Sequence, residues 1–237
     1  MPLIIFLTLL GIAGACAGVL LSRQVGRVHH LTSITGGLFL GMATFLILPE
    51  AFESGPWPIV TLFLLAGCIS FAWLEKTCDH SLHGEEQTKM QAMPLSTVFG
   101  VVALHNALDG WNMGIALQVS TGAFARAFSI GMGLHKCVGG LAIGAILRRP
   151  SAGTARNLMV AATAEAITLL GALAERGLIA HMGQRWTVWF LAATGGSFLF
   201  LAFHSFAEAK RGAGMSHTVR FGALGFAVVA TAAFLPH

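Results

Sequence analysis

Leu104-His105-Asn106-Ala107-Leu108-Asp109-Gly110 and Leu134-His135-Lys136-Cys137-Val138-Gly139-Gly140 are the two stretches whose reading decides the fold class. Each sets polar, metal-competent side chains in the middle of an apolar run long enough to cross a bilayer. Aligned on their histidines, they share the pattern L-H-x-x-x-x-G-x-x-x-G-x-x-L. Ionisable groups at membrane depth are costly, and by default they mark a substrate or ion pathway.

The composition around them agrees. Charged residues make up 10% of the 237 positions and mean hydropathy is +0.75, whereas soluble domains carry about 25% charge. Glycine is frequent, as expected where transmembrane helices approach closely. The formal charge of +4 is no nucleic-acid signal, because the cations sit in short loops and form no basic stripe interleaved with aromatics. The expected surroundings are a lipid bilayer, with no nucleic-acid partner.

Eight apolar stretches of about 20 residues can each span a bilayer. They run roughly Pro2–Leu21, Thr32–Phe52, Trp57–Trp73, Leu95–Val119, Phe124–Leu147, Ala155–Ala174, Thr187–Ala207 and Thr218–Leu235. The first lacks a basic flank and a small-residue cleavage site, so it reads as a helix that is retained. Trp73, Trp186 and Trp189 fall near expected helix ends, where indoles favour the interface. Cys16, Cys68 and Cys137 lie in apolar runs, Cys78 does not, and no C-x-x-C spacing occurs. Cys16 and Cys68 read as buried small hydrophobes, and nothing suggests a disulfide framework. The expected fold is an all-α membrane protein, a single transmembrane domain over residues 1–237.

Loop charge orients it. Arg23, Arg27, Lys76, Lys89, Arg148, Arg149, Arg156, Lys210 and Arg211 fall on one side, and Arg126, Arg176 and Arg185 on the other. The positive-inside rule then places both termini outside the cytoplasm, and a plasma (inner) membrane is expected. The long cytoplasmic loop, about residues 76–94 between the third and fourth helices, carries Asp79, His80 and His83. These read either as a transient metal-binding group or as a solvated linker.

Internal symmetry is visible. Thr35-Gly36-Gly37-Leu38-Phe39-Leu40 in helix 2 resembles Thr194-Gly195-Gly196-Ser197-Phe198-Leu199 in helix 7. The two helices run in opposite directions, as do the two histidine helices. The expected arrangement is an inverted repeat, helices 1–3 against 6–8, around a central pair of helices 4 and 5. Secondary transporters built this way hold substrate at the midplane between repeats.

His105 and Asp109 are i and i+4, on one helical face, and Asn106 sits about 100° round. Imidazole plus carboxylate suits Zn²⁺, Fe²⁺, Co²⁺ or Mn²⁺. The same pair could equally be a helix-stabilising hydrogen bond or a proton relay. His135 is also near mid-span, on the neighbouring helix of a tight hairpin, so the two histidines can face one another. Gly110, Gly114, Gly140 and Gly144 recur at spacing four, a pattern that lets helix backbones approach. Glu165, in helix 6, requires a partner at this depth; Lys136, His105 and His135 are the available ones.

On these residues the chain resembles the ZIP (Zrt/Irt-like) family of divalent-metal transporters. His105-Asn106-Ala107-Leu108-Asp109-Gly110 is similar to the family's helix-4 motif H-N-x-x-[DE]-G. His135-Lys136-Cys137-Val138-Gly139-Gly140-Leu141-Ala142-Ile143-Gly144 resembles the helix-5 motif H-[NEK]-x-P-E-G-x-A-x-G. Leu48-Pro49-Glu50-Ala51 and Leu170-Gly171-Ala172-Leu173 resemble the family's helix-2 and helix-6 runs. The resemblance implies the eight-helix plan, outside termini, homodimers, a binuclear site between helices 4, 5 and 6, and metal uptake into the cytoplasm.

The departures reshape that site. Val138-Gly139 stands where the family has Pro-Glu, and Thr168 where it has a helix-6 Glu, with Glu165 three residues earlier. In helix 7, Phe206-Ala207-Glu208-Ala209 replaces L-P-E-A and follows His204. Lys136 cannot ligate while protonated. The expectation is therefore a one-metal site of His105, Asp109 and His135, with Asn106 and Glu165 as further ligands and Lys136 as a fixed cation in the second metal's place. Glu50, Thr168, His204 and Glu208 are pathway candidates. The expected function is a non-enzymatic secondary transporter of Zn²⁺, or of Fe²⁺, Mn²⁺, Co²⁺ or Cd²⁺, by alternating access. No phosphate-binding loop supplies energy. The competing readings are a metal-sensing homologue that does not transport, and an intramembrane metal hydrolase with Glu165 as base.

Overall fold

The computed structural model describes residues 1–21, 28–79, 94–119, 122–182 and 184–234. His80 and His83 lie outside these residues, as does the side chain of Asp79. Helices account for nearly all of the described chain: α1 (Pro2–Leu21), α2, α3 (Trp57–Asp79), α4 (Leu95–Val119), α5 (Gly122–Leu147), α6 (Thr154–Met182), α7 (Gln184–Ala213) and α8 (Met215–Phe234). α2 runs Val28–Met42, makes one π-helical turn over Ala43–Ile47 and continues through Leu48–Ser54. Pro49 explains the turn. It has no N–H to donate, and its ring collides with the carbonyl four residues back, so the helix widens just before it. The amide of Leu48 reaches Ala43 O instead.

Among the described residues, six helices are long and apolar enough to cross a membrane: α1, α2, α5, α6, α7 and α8. The chain is a multi-pass, all-α integral membrane protein. α3 carries a shorter apolar run, Trp57–Trp73. α4 is 25 residues long, but His105, Asn106, Asp109 and Asn112 lower its apolarity. Most helices extend past the apolar stretches read from sequence. α6 reaches Met182 and α7 reaches Ala213 because polar residues at a membrane surface continue a helix without being apolar. α7 ends at Gly214, whose φ of 82° suits a residue without a Cβ. Its amide donates to Lys210 O.

The helices pack as two groups of four. α1, α4, α5 and α6 form one, with α1 on α5 and α4 on α6; α2, α3, α7 and α8 form the other, with α2 on α8 and α3 on α7. Glycines set these approaches. A Cβ at Gly14 would strike Cys137 O of α5, and one at Gly37 would strike Gly222 O of α8. The spacing-four glycines do not join α4 to α5, as the hairpin suggested. Gly110 and Gly114 face Thr168 and Glu175 of α6, and Gly140 and Gly144 face α1 at Gly11 and Ala15. A short loop makes two helices sequential neighbours; the small faces decide which backbones touch.

Two apolar clusters fill the interior. One gathers Leu7, Leu38, Phe39, Met42, Met113, Phe128, Met132, Ala172 and Phe198. The other gathers Ala15, Val102, Ile143, Leu147, Ala161 and Ala164. On α4, α5 and α6 the buried polar residues Asn106, Asp109, His135, Lys136, Glu165 and Thr168 lie between the two clusters, as Gly11 does on α1. A polar layer thus crosses the first four-helix group at mid-span.

Candidate metal-binding site

The layer centres on Asp109. Its Oδ2 lies 2.9 Å from Lys136 Nζ, 3.3 Å from His135 Nε2 and 3.7 Å from His105 Nε2. The i,i+4 spacing on α4 puts His105 over Asp109, and α5 delivers His135 and Lys136 from the side. The histidine rings meet edge to face with centroids 6.1 Å apart. His105 is the open member, its side chain 36% exposed, whereas that of His135 is 4% exposed. Phe39 of α2 covers the His135 ring at 4.5 Å.

Lys136 is buried to its tip. Its ammonium donates to Asn106 Oδ1 at 2.7 Å and Thr168 Oγ1 at 2.9 Å, and to Glu165 Oε2 at 3.4 Å. With Asp109, that makes four oxygen partners from two helices, α4 and α6, around one ammonium. Asn106 is fixed in turn by donating to Ala164 O, 3.0 Å away. Glu165 is fully buried, and Gly11 of α1 makes room for it, since a Cβ there would meet the carboxylate. Two carboxylates thus face one ammonium. With neutral histidines, one negative charge is left uncompensated in a medium where charges interact strongly. Glu165 Oε1 and His135 Nδ1 are buried without a hydrogen-bond partner.

His105, Asp109 and His135 offer ligand atoms that all lie within 4.8 Å of one another. Tetrahedral zinc with bonds of about 2.0–2.1 Å separates its ligand atoms by about 3.3–3.4 Å. The 3.3 and 3.7 Å spacings are close to that, and the donor set suits a borderline divalent ion. Asn106 Oδ1 and Glu165 Oε2, on residues expected as further ligands, meet Lys136. Thr168, expected on a pathway, also belongs to the Lys136 shell.

The other pathway candidates are not brought to this layer. Glu50 accepts from Ser54 at 3.4 Å. It lies three turns beyond Phe39 on α2, about 16 Å along the axis. His204 and Glu208 pair with each other at 4.0 Å toward the C-terminal end of α7. Sequence reading missed three features. Gly11 is one, since a glycine in an apolar helix carries no sign of its partner. Asn112 accepts from Thr194 Oγ1 at 3.0 Å and ties α4 to α7. Gln118 donates to the buried Glu175 at 2.5 Å; both lie beyond the polar layer, toward the α4–α5 loop. An acidic residue just past the expected end of the sixth stretch was the available signal.

No protein-family model matches the chain, and no curated protein matches it at a significant level.

Proposed function

We propose that this chain is a ZIP-like secondary transporter that carries one divalent transition metal, Zn²⁺ as first choice, into the cytoplasm. The observation that carries the reading is the convergence of His105, Asp109 and His135 inside a bundle in which six helices are long and apolar enough to cross a membrane. Lys136 supports a single ion. It already supplies one positive charge to Asp109 and Glu165, so one divalent ion leaves the layer at about +1 and a second would leave it near +3. Removing Lys136's proton is not required for the first ion, because His105 and His135 bind through nitrogens that Lys136 does not use.

Eight spans, an inverted repeat and alternating access belong to the same proposal. Exchange of helices 1–3 with 6–8, and of 4 with 5, carries the α1–α5 packing onto α6–α4 and the α2–α8 packing onto α7–α3. The paired Thr-Gly-Gly runs obey it too. Gly36 meets Phe206 of α7 while Gly195 meets Ile47 and Leu48 of α2; Gly37 meets α8 while Gly196 meets Leu64 of α3. In this reading the site-bearing group of four moves against the other, and termini lie outside the cytoplasm. The test is liposome uptake with Zn²⁺, Fe²⁺, Mn²⁺ and Cd²⁺ against a lumenal dye. The native chain should fill the lumen and Asp109→Ala should not. Uptake equal in both would sink the reading.

One observation favours a second reading. Lys136 with four oxygen partners is also what a closed structural ion pair looks like, in a homologue that binds metal without moving it. Binding of one equivalent of Zn²⁺ with no flux would select that reading.

A further inference from the structure

We propose that a groove between α2, α7 and α8 binds one anionic phospholipid, with an acyl chain in the groove and the phosphate on Lys210. The groove has a volume of about 410 Å³ and is walled by apolar side chains, among them Leu40, Phe206, Met215, Ala223 and Phe226. Among the described residues its one charged lining residue is Lys210, exposed in the last turn of α7. Along α8 the lining runs from Met215 to Phe226, about 16 Å at 1.5 Å per residue. That is the depth of one leaflet, half of the roughly 30 Å hydrocarbon core. The groove therefore begins where a headgroup sits and ends where an acyl chain ends.

Charge complements the shape. Lys210, Arg211 and Arg220 are exposed at this end of α7 and α8, and Lys210 has no ion pair among the described residues. Glu208 is the nearest carboxylate in sequence. It lies about 200° round the helix from Lys210 and stands beside His204. Basic residues at a membrane surface attract anionic headgroups, and among the described residues nothing acidic lines the groove to oppose one. A neutral lipid could use the walls but would leave Lys210 without a counterion.

The proposal does not depend on metal being the cargo, and its test does not read transport. Detergent-purified protein is mixed with phosphatidylglycerol or phosphatidylcholine and followed by native mass spectrometry and thermal unfolding. One phosphatidylglycerol adduct per protomer is expected, with a larger rise in Tm than phosphatidylcholine gives. Lys210→Gln should weaken that adduct about fivefold and Lys210→Gln with Arg211→Gln further, each cation contributing about that factor. Ala223→Trp should block it by filling the groove. Equal adducts from the two lipids, or a Lys210→Gln protein that keeps its preference, would overturn the proposal. So would a change of oligomeric state in Ala223→Trp with the lipid adduct intact, which would assign the groove to a second copy of the chain. The lysine variants change only an exposed side chain, so the test survives if the tryptophan variant fails to fold.

Discussion

At the scale of the residue, Lys136 decides what the site can hold. Two buried carboxylates depend on its ammonium. Lys136→Met therefore leaves Asp109 and Glu165 in a dry layer with no cation, and breaking a buried pair in this way costs about 3–5 kcal/mol. Glu165→Gln should cost less, because Asp109 keeps Lys136 and the amide can still accept from it. Thermal unfolding in detergent should place Lys136→Met well below both the native chain and Glu165→Gln in Tm. Metal binding has its own signature. His105 and His135 must be neutral to ligate, so protons compete with metal, and affinity should fall as the medium is taken from pH 7 to pH 5. Isothermal titration with Zn²⁺ at several pH values measures it, and the fitted stoichiometry at pH 7 should be one. Much of this was legible in the sequence, since His105 and Asp109 share a face by spacing alone and Glu165 needed a cation. That Asn106 and Thr168 join Asp109 and Glu165 around Lys136 was not. Asn106 and Glu165 are placed on their helices by sequence, but the rotation of α4 and α6 against α5 decides what their oxygens meet.

At the scale of the element, glycines hold the site's frame. Gly110 and Gly171 form a reciprocal contact between α4 and α6. A Cβ at the first would strike Thr168 O, and one at the second would strike Ala107 O. Thr168 also receives a hydrogen bond from Lys136, so the same approach that seats the backbones seats the polar layer. Gly171→Leu must push the helices apart, and overpacking of this kind costs about 1–3 kcal/mol. It should lower Tm and weaken Zn²⁺ binding together. Gly100, on α4 with nothing within 4 Å of its would-be Cβ, is the control. Gly100→Ala should raise or preserve Tm, since alanine favours a helix by about 1 kcal/mol. The spacing of four among Gly110, Gly114, Gly140 and Gly144 was plain in the sequence, and so was its meaning as a close approach. The partner was hidden because a glycine stripe names a face without naming what lies across it.

At the scale of the whole molecule, the question is whether the two groups of four helices move. Their boundary runs beside the metal-competent residues. Phe39 covers His135, Phe128 stacks on Phe198 at 6.5 Å, and Thr194 bonds Asn112. Apolar rings can slide past one another without breaking directed bonds, whereas the Asn112–Thr194 hydrogen bond is a directed link that a shift between groups must break. It is therefore the place to hold them. Asn112→Cys with Thr194→Cys, in a chain whose four native cysteines are replaced, brings two thiols to the boundary within reach of a short bifunctional reagent. Neither residue belongs to the His105, Asp109 and His135 set. Bridging should abolish Zn²⁺ uptake into liposomes and leave one equivalent of Zn²⁺ bound, and a reducible bridge should restore uptake once cleaved. The single-cysteine chains, treated alike, should transport normally. Uptake that continues in the bridged protein would mean that metal passes without relative movement of the two groups, and the alternating-access half of the proposal would fail while the binding site stood.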